Sequence, residues 1–244
     1  DSESRLTTAD EELVPQGQVE VCLSPEAQDK VSQFLAYLRA ADRLLANGVG
    51  ISPSLLMFGP PGCGKTLVAR FIASELGLPL ITARVDGLIS SYLGSTSKNL
   101  RMLFEHAMSR PCVLFLDEFD AIAKMRDDAK ELGELKRVVI SLLQNIDVMG
   151  KDHVLIAATN HEHLLDPAVW RRFTYKLQLG EPDKASRRKM LRRFLGAFAS
   201  NDSVEVLASL SEGLTGAQLK LISDDCIRAA VLEDRQSISL RKAF

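Results

Sequence analysis

Eight consecutive residues, Gly59-Pro60-Pro61-Gly62-Cys63-Gly64-Lys65-Thr66, constrain this chain more than any other stretch. They fit the pattern G-x-x-x-x-G-K-[ST], which acts as a phosphate cradle only between a strand and a helix. Both flanks are present: the apolar run Leu55-Leu56-Met57-Phe58 leads in, and a helical pattern over 67–76 comes after. The glycines let the backbone fold tightly, so that successive N–H groups point at phosphate oxygens. The start of the next helix adds its partial positive charge. The residues expected around a polyphosphate are therefore Pro61, Gly62, Cys63, Gly64, Lys65, Thr66 and Leu67. Lys65 reaches for the β- and γ-phosphates, and the Thr66 hydroxyl is a ligand for Mg²⁺.

Around this loop, strand-like and helix-like stretches alternate. Residues 80–83 read as a second strand, 97–110 as a helix N-capped by Ser97, and Cys112-Val113-Leu114-Phe115-Leu116 as a strand without polar interruption. An uninterrupted apolar run is the mark of a parallel strand buried on both faces. A helix over 135–146, a strand over 153–159, a short helix within 165–173 and a last strand over 175–179 continue the alternation. Upstream, the apolar spacing predicts one helix from Ser24-Pro25 to Asn47, opened by the serine cap and the proline and closed by Asn47-Gly48. Alternation of this kind means a doubly wound, mainly parallel α/β sheet. Beyond Gly180-Glu181-Pro182-Asp183 only helical patterns remain: 184–198, 204–210 and 217–233. The expected organisation is a polar, acidic leader over 1–19, disordered or a junction, an α/β domain over 20–180 and a small helical lid over 181–244.

Composition narrows the function. The net charge is −2 and the pI about 6.1, so bulk charge gives no attraction to nucleic acid or an anionic membrane. The four cysteines (Cys22, Cys63, Cys112, Cys226) form no C-x-x-C pair, which suits free thiols in a reducing compartment. His161 and His163 stand two apart on an expected loop, in a surface role, and no histidine has zinc-like spacing with cysteine. No apolar run reaches transmembrane length, and the expected localisation is cytoplasmic.

In open α/β sheets, ligand-binding side chains sit at the carboxyl ends of strands. Asp117 and Glu118 end the apolar strand, and Asn160 ends the strand over 153–159. Asp117 is expected to hold Mg²⁺ beyond Thr66, Glu118 to activate the attacking water, and Asn160 to bond the γ-phosphate or orient that water. Arg171 and Arg172 close the short helix and offer the positive charge that phosphoryl transfer needs on the γ-phosphate.

In order and spacing, residues 59–66, 113–120, Ala158-Thr159-Asn160 and 165–173 resemble the Walker A, Walker B, sensor-1 and arginine-finger regions of AAA+ ATPases. Thr215-Gly216-Ala217-Gln218-Leu219 resembles the Gly-Ala segment of the AAA clade in the strict sense. The likeness runs from about residue 24 to about residue 235. It implies ATP and Mg²⁺ as ligands and a homo-oligomeric ring, usually a hexamer. It implies Lys65, Thr66, Asp117, Glu118 and Asn160 acting in cis, and Arg171 and Arg172 in trans. Two departures stand out: the arginine segment lacks the common Arg-Pro-Gly-Arg-Phe form, and Cys63 stands where threonine is common. Tyr92-Leu93-Gly94 resembles the pore loop that grips an extended polypeptide, and 124–134 would be a second loop at the pore. The expected function is ATP-driven unfolding, threading or remodelling of a protein substrate, with a partner effector possible. An ATP-switched assembly or loader factor on a nucleic-acid complex is the alternative.

Overall fold

A computed structural model describes residues 9–88, 93–121 and 132–238, without side chains for 93–95 and 132–137. By contacts the chain divides into two compact units. The first takes in residues 9–20 together with the described parts of Asp29–Gly59 and Lys65–Gln178. The second takes in Val21–Gln28, Pro60–Gly64 and the chain from Leu179 onward.

The first unit is built on a six-stranded sheet. Its strands are β1 (Ala9–Glu12), β2 (Ser54–Phe58), β3 (Leu80–Arg84), β4 (Cys112–Asp117), β5 (His153–Thr159) and β6 (Tyr175–Gln178), in the spatial order β1-β3-β4-β5-β2-β6. Strands β2 to β6 pair in parallel and β1 joins antiparallel at the edge. The expected doubly wound α/β class is thus observed. Residues 112–116 of β4 are all fully buried, as their apolar run required. Helices α3 (Lys65–Leu76), α4 (Val85–Leu88), α5 (Leu93–Ala107), α6 (Leu132–Val148) and α7 (Pro167–Trp170) lie between the strands, after α1 (Pro25–Arg39) and α2 (Ala41–Ala46). Leu103, Phe104, Leu114, Leu116, Leu142 and Phe173 belong to the main core, each at most 1% exposed.

The fold corrects four expectations. Residues 9–12, expected within a disordered leader or junction, form β1 against β3, from Ala9 opposite Ala83 to Glu12 opposite Leu80. Three of its four residues are acidic, a composition poor in strand propensity. Cross-links hold it instead: Glu11 pairs with Arg110, and Glu12 with Arg70 at 2.9 Å. Buried Val14 and the bonds from Ser74 Oγ to Pro15 O (2.7 Å) and from Gly17 N–H to Ser74 Oγ (3.2 Å) anchor the residues after β1. Second, the helix expected over 24–47 is two. Ser24 does cap it, accepting from Ala27 N–H, but Ala40 turns to ψ 4° and breaks the helix before α2.

Third, α5 begins at Leu93, so Ser97 lies inside the helix rather than capping it. Burial of Leu100, Leu103 and Phe104 in the core outweighs the weak helix propensity of the Gly-Ser-Thr-Ser run. Fourth, α6 starts at Leu132 and runs to Val148, beyond the expected 135–146 at both ends.

The second unit is helical from residue 179 onward among the described residues: α8 (Lys184–Leu195), α9 (Asn201–Leu210) and α10 (Gly216–Leu232), with a short 3-10 turn over Gly196–Phe198. Each long helix starts on a side-chain cap: Asp183, Ser200 and Thr215 accept from Ser186, Ser203 and Gln218 N–H respectively. The Ser186 bond, backbone first, holds the Asp183 carboxyl below its ordinary range. Leu191, Leu195, Val204, Leu207 and Leu219 form this unit's own core. Among the described residues, no helix is long and apolar enough to cross a membrane.

Candidate nucleotide site

Strand register brings the candidate residues to one edge of the sheet. Phe58 lies opposite Thr159, and Arg84 opposite Asp117. Gly59, Asn160 and Glu118 are the next residues after Phe58, Thr159 and Asp117, so they leave the same carboxyl edge. This edge is where an open α/β sheet binds its ligand.

The loop between β2 and α3 turns on glycines with positive φ: Gly59 (136°), Gly62 (79°) and Gly64 (88°). A side chain at any of them would be strained, which explains the motif's glycines physically. Lys65 is only 8% exposed, and its Nζ donates to Gly59 O at 2.7 Å. Its ammonium is therefore folded back over the loop it serves. Thr66 Oγ1 donates to Asp117 Oδ2 at 3.3 Å. A hydroxyl and a carboxylate at that separation are hard oxygen donors suited to Mg²⁺, which takes few protein ligands and keeps several waters. The residues present therefore fit the metal. Among the described residues there is no group of three or more His, Cys, Asp or Glu side chains placed to hold a metal ion.

Glu118 has φ 53°, one of two described non-glycine residues in the left-handed region. That conformation costs about 1–2 kcal/mol for an L-residue. Three bonds hold the turn: Glu118 N–H to Asp117 Oδ1 (2.9 Å), Phe119 N–H to Ala158 O (2.9 Å) and Ala121 N–H to Glu118 O (2.9 Å). Strain maintained this way makes Glu118 a candidate functional position. The Glu118 carboxylate meets Arg84 Nη2 at 3.2 Å, and the same guanidinium pairs with Asp86 at 2.9 Å. Asp86, half-exposed, is held below the ordinary carboxylate range. Partial burial opposes this, and the Arg84 and Gly87 hydrogen bonds outweigh it. The hydrogen bond and charge of Asp86, then the charge of Glu118, raise the Arg84 guanidinium.

Asn160 comes directly after β5. Its backbone N–H points to Asp120 Oδ1 at 3.4 Å, and Thr159 Oγ1 donates to that same oxygen at 2.9 Å. Asp120 is 2% exposed, so a buried carboxylate ties the end of β4 to the end of β5. The Asn160 amide oxygen is buried and has no partner among the described residues. An orphaned carbonyl oxygen of this kind accepts from a donor, and a water at the site would fit it. His161 and His163 stack edge-on at 5.7 Å in the loop after Asn160.

Arg171 is the C-cap of α7, whose N-cap Asp166 accepts from Ala168 N–H at 2.8 Å. Arg172 Nη2 pairs with Asp147 Oδ2 of α6 at 3.2 Å. Among the described residues, no hydrogen bond or ion pair links either guanidinium to Lys65, Thr66, Asp117, Glu118 or Asn160. Among the described residues, neither guanidinium is thus bonded to the residues expected to act in cis, and Arg172 is paired with Asp147 instead. Leu67 comes after Thr66 in the first turn of α3 and is 42% exposed.

In the helical unit, residues 60–64 meet the start of α10. Ala217 N–H donates to Gly62 O at 3.1 Å, and a Cβ on Gly62 would lie 2.9 Å from Thr215 Oγ1. The Gly216-Ala217 pair is thus set against the loop backbone, and it is at Gly62 that an added Cβ has no room. Of the pore-loop residues, Tyr92 lies outside the described residues, and Leu93 and Gly94 open α5. The other pore segment, 124–134, lies outside them as far as residue 131, and Leu132 onward is helix.

Two residues of the site are not among those expected from the sequence. A strand ended at Ala83 leaves out Arg84; one residue further, it is a polar residue at a strand's carboxyl end, as Asp117 is. Asp120 lies inside the resembling segment, but only pairing of β4 with β5 shows what it bonds.

Comparison with known proteins agrees with this geometry. The residue pattern of the ATPase family associated with various cellular activities (AAA) matches residues 55–181. An uncharacterized AAA family ATPase, y4kL, of Sinorhizobium fredii is 45% identical over 204 residues, covering 83% of this chain and 62% of the relative. The ATP-dependent zinc metalloprotease FtsH 3 of Sphaerobacter thermophilus is 34% identical, over 80% of this chain and 41% of its own length. The peroxisomal ATPase pex6 of Schizosaccharomyces pombe is 34% identical, over 81% of this chain and 22% of its own length. The chain thus spans less than two thirds of each of these relatives. Family pattern and site geometry together place it: the chain belongs to the AAA family of ATPases.

Proposed function

We propose that this chain is the motor part of an oligomeric, ring-forming machine that hydrolyses ATP with Mg²⁺ and spends the energy on remodelling or threading a protein substrate. The observation that carries the ATPase part is the 3.3 Å approach of Thr66 Oγ1 to Asp117 Oδ2, with Lys65 and Glu118 beside them in sequence. In this reading Lys65 exchanges its bond to Gly59 O for the β- and γ-phosphates. Thr66 and Asp117 hold the metal, which when bound neutralises the charge that builds on the phosphate oxygens. The Glu118 carboxylate takes a proton from water as the water oxygen bonds to the γ-phosphorus and the bond to the β-phosphate oxygen breaks. Asn160 orients that water through its partnerless amide oxygen, or bonds the γ-phosphate through its side-chain NH2. Arg171 and Arg172 serve the γ-phosphate bound by a neighbouring copy; in support, neither guanidinium is bonded among the described residues to Lys65, Thr66, Asp117, Glu118 or Asn160.

Support for protein as substrate is the likeness to proteins named ATP-dependent zinc metalloprotease, in which ATP use serves an action on proteins. Tyr92 would grip the polypeptide. The test is a set of three variants assayed for ATP binding, turnover and substrate unfolding. Glu118→Gln is expected to bind ATP, to turn over at least about a hundredfold more slowly and to stabilise the assembly. Lys65→Ala loses binding. Tyr92→Ala keeps basal hydrolysis and loses the action on substrate. Normal turnover by Glu118→Gln would remove that residue from its role. A full rate at every dilution of the protein would remove the ring.

A further inference from the structure

Two aromatic pairs bracket the arginine segment, and each ends beside a residue of the nucleotide site. Trp170 precedes Arg171, and its ring packs on Phe58 with centroids 5.2 Å apart and planes at 60°. Phe58 immediately precedes Gly59, the first residue of the phosphate loop. Phe173 comes after Arg172, and its ring meets Phe119 edge-on at 5.8 Å. Phe119 is the residue after Glu118, and both phenylalanines of this pair are 1% exposed. Strand β2 contributes at its other end as well: Ser54 Oγ donates to Arg172 O at 3.2 Å and accepts from Thr174 N–H at 3.0 Å. Lys176 adds a contact, with Nζ 5.8 Å over the Trp170 ring and bonded to Phe173 O at 2.9 Å. Residues 170–174 are thus tied at both ends to elements that carry the phosphate loop and the Glu118 turn.

We infer that Trp170 is a positioning residue: through Phe58 it sets where the Arg171–Arg172 pair stands according to what the phosphate loop holds. Packed interiors move in discrete steps rather than by deforming. A shift of Gly59 when Lys65 leaves its carbonyl moves Phe58, and Trp170 moves with it because the two rings are packed together. The Phe119–Phe173 pair applies the same constraint from the Glu118 turn. Each subunit would thereby present its arginines outward in a position that reports its own nucleotide. The inference rests on the reading that those arginines act on phosphates bound by another copy.

Trp170 is the one tryptophan in the chain, so its emission reports this contact directly. The experiment titrates the natural chain and Phe58→Leu with a non-hydrolysable ATP analogue, measuring calorimetric binding and tryptophan emission in parallel. The expected result is an emission shift that tracks the binding curve in the natural chain. In Phe58→Leu the shift is lost while binding remains. Binding without a shift in the natural chain overturns the inference and leaves the ATPase reading intact. So does a shift that survives Phe58→Leu. Absence of binding in the natural chain overturns both. As a functional arm, Trp170→Leu should lower kcat about tenfold with the KM for ATP within about twofold, because a displaced group costs rate more than affinity. Trp170→Phe, which keeps a ring on Phe58, should restore it. Equal rates in the two variants would likewise overturn the inference.

Discussion

Replacing Asp120 by alanine isolates what a buried carboxylate does for the end of the sheet. In the native fold its Oδ1 accepts from the Thr159 hydroxyl at 2.9 Å and from Asn160 N–H at 3.4 Å. Asp120 and Thr159 are 2% and 1% exposed, so water does not readily take the lost partner's place. A buried donor left without a partner costs about 1–3 kcal/mol. The 3.4 Å contact belongs at the weak end of that range. Together they give ~2–4 kcal/mol for Asp120→Ala. With a urea slope of about 2 kcal/mol/M, the middle of the usual range, the unfolding midpoint should fall by roughly 1–2 M. Asp120→Asn keeps the oxygen and loses only the charge, so it should cost about 1 kcal/mol. Turnover adds a second test. Asn160 loses its backbone anchor in the alanine variant, and a misplacement of about 1 Å can cost on the order of a hundredfold in rate. The expected order of kcat is wild type, then Asn, then Ala, with little change in the KM for ATP. An alanine variant as stable as wild type, or one that is folded and fully active, would refute the assignment of Asp120 as the tie between β4 and β5.

Arg84→Ala removes the guanidinium that meets Glu118 at 3.2 Å and should raise basal ATP hydrolysis by freeing that carboxylate, with the melting temperature unchanged. A lower rate would mean that Arg84 helps to place the base. Gly62→Ala and Gly64→Ala both force an alanine into positive φ, but only at Gly62 would the new Cβ meet Thr215 Oγ1 at 2.9 Å. Thermal melts without nucleotide should therefore rank Gly62→Ala below Gly64→Ala, and equal melts would count against the packing of Gly216-Ala217 on the loop. Burial pushes the Cys112 thiol up to about 11. An unfolded thiol ionises near about 8.5, so the unfolded chain releases this proton first. The stability it confers is complete below that pH and is lost as pH rises through about 11, a loss Cys112→Ala should abolish in unfolding curves taken across that window. At neutral pH, Cys63, which is partly exposed, should react with iodoacetamide well before buried Cys112 and Cys226, and its alkylation should block nucleotide binding.

The sequence by itself determined the fold class and pointed to most residues of the candidate site, because both readings rest on local signals. A glycine pattern before Lys65 and Thr66 specifies a backbone shape, and an apolar run ending in Asp117-Glu118 specifies a buried strand with its charge at one end. Where an element is held from a distance, local signals failed. Strand β1 has an acidic composition that reads as solvated chain, and arginines on α3 and after α5 make it a strand. The start of α5 runs through residues that read as a loop, and burial of Leu100, Leu103 and Phe104 further along holds the helix. Arg84, Asp120 and the Phe58–Trp170 and Phe119–Phe173 pairs act through partners 34, 39, 112 and 54 positions away in sequence. Such contacts exist only once parallel pairing has brought β3, β4, β5 and β2 to a common edge. Side-chain type and spacing are written in the chain, but which distant groups share a hydrogen bond is decided by strand order and register.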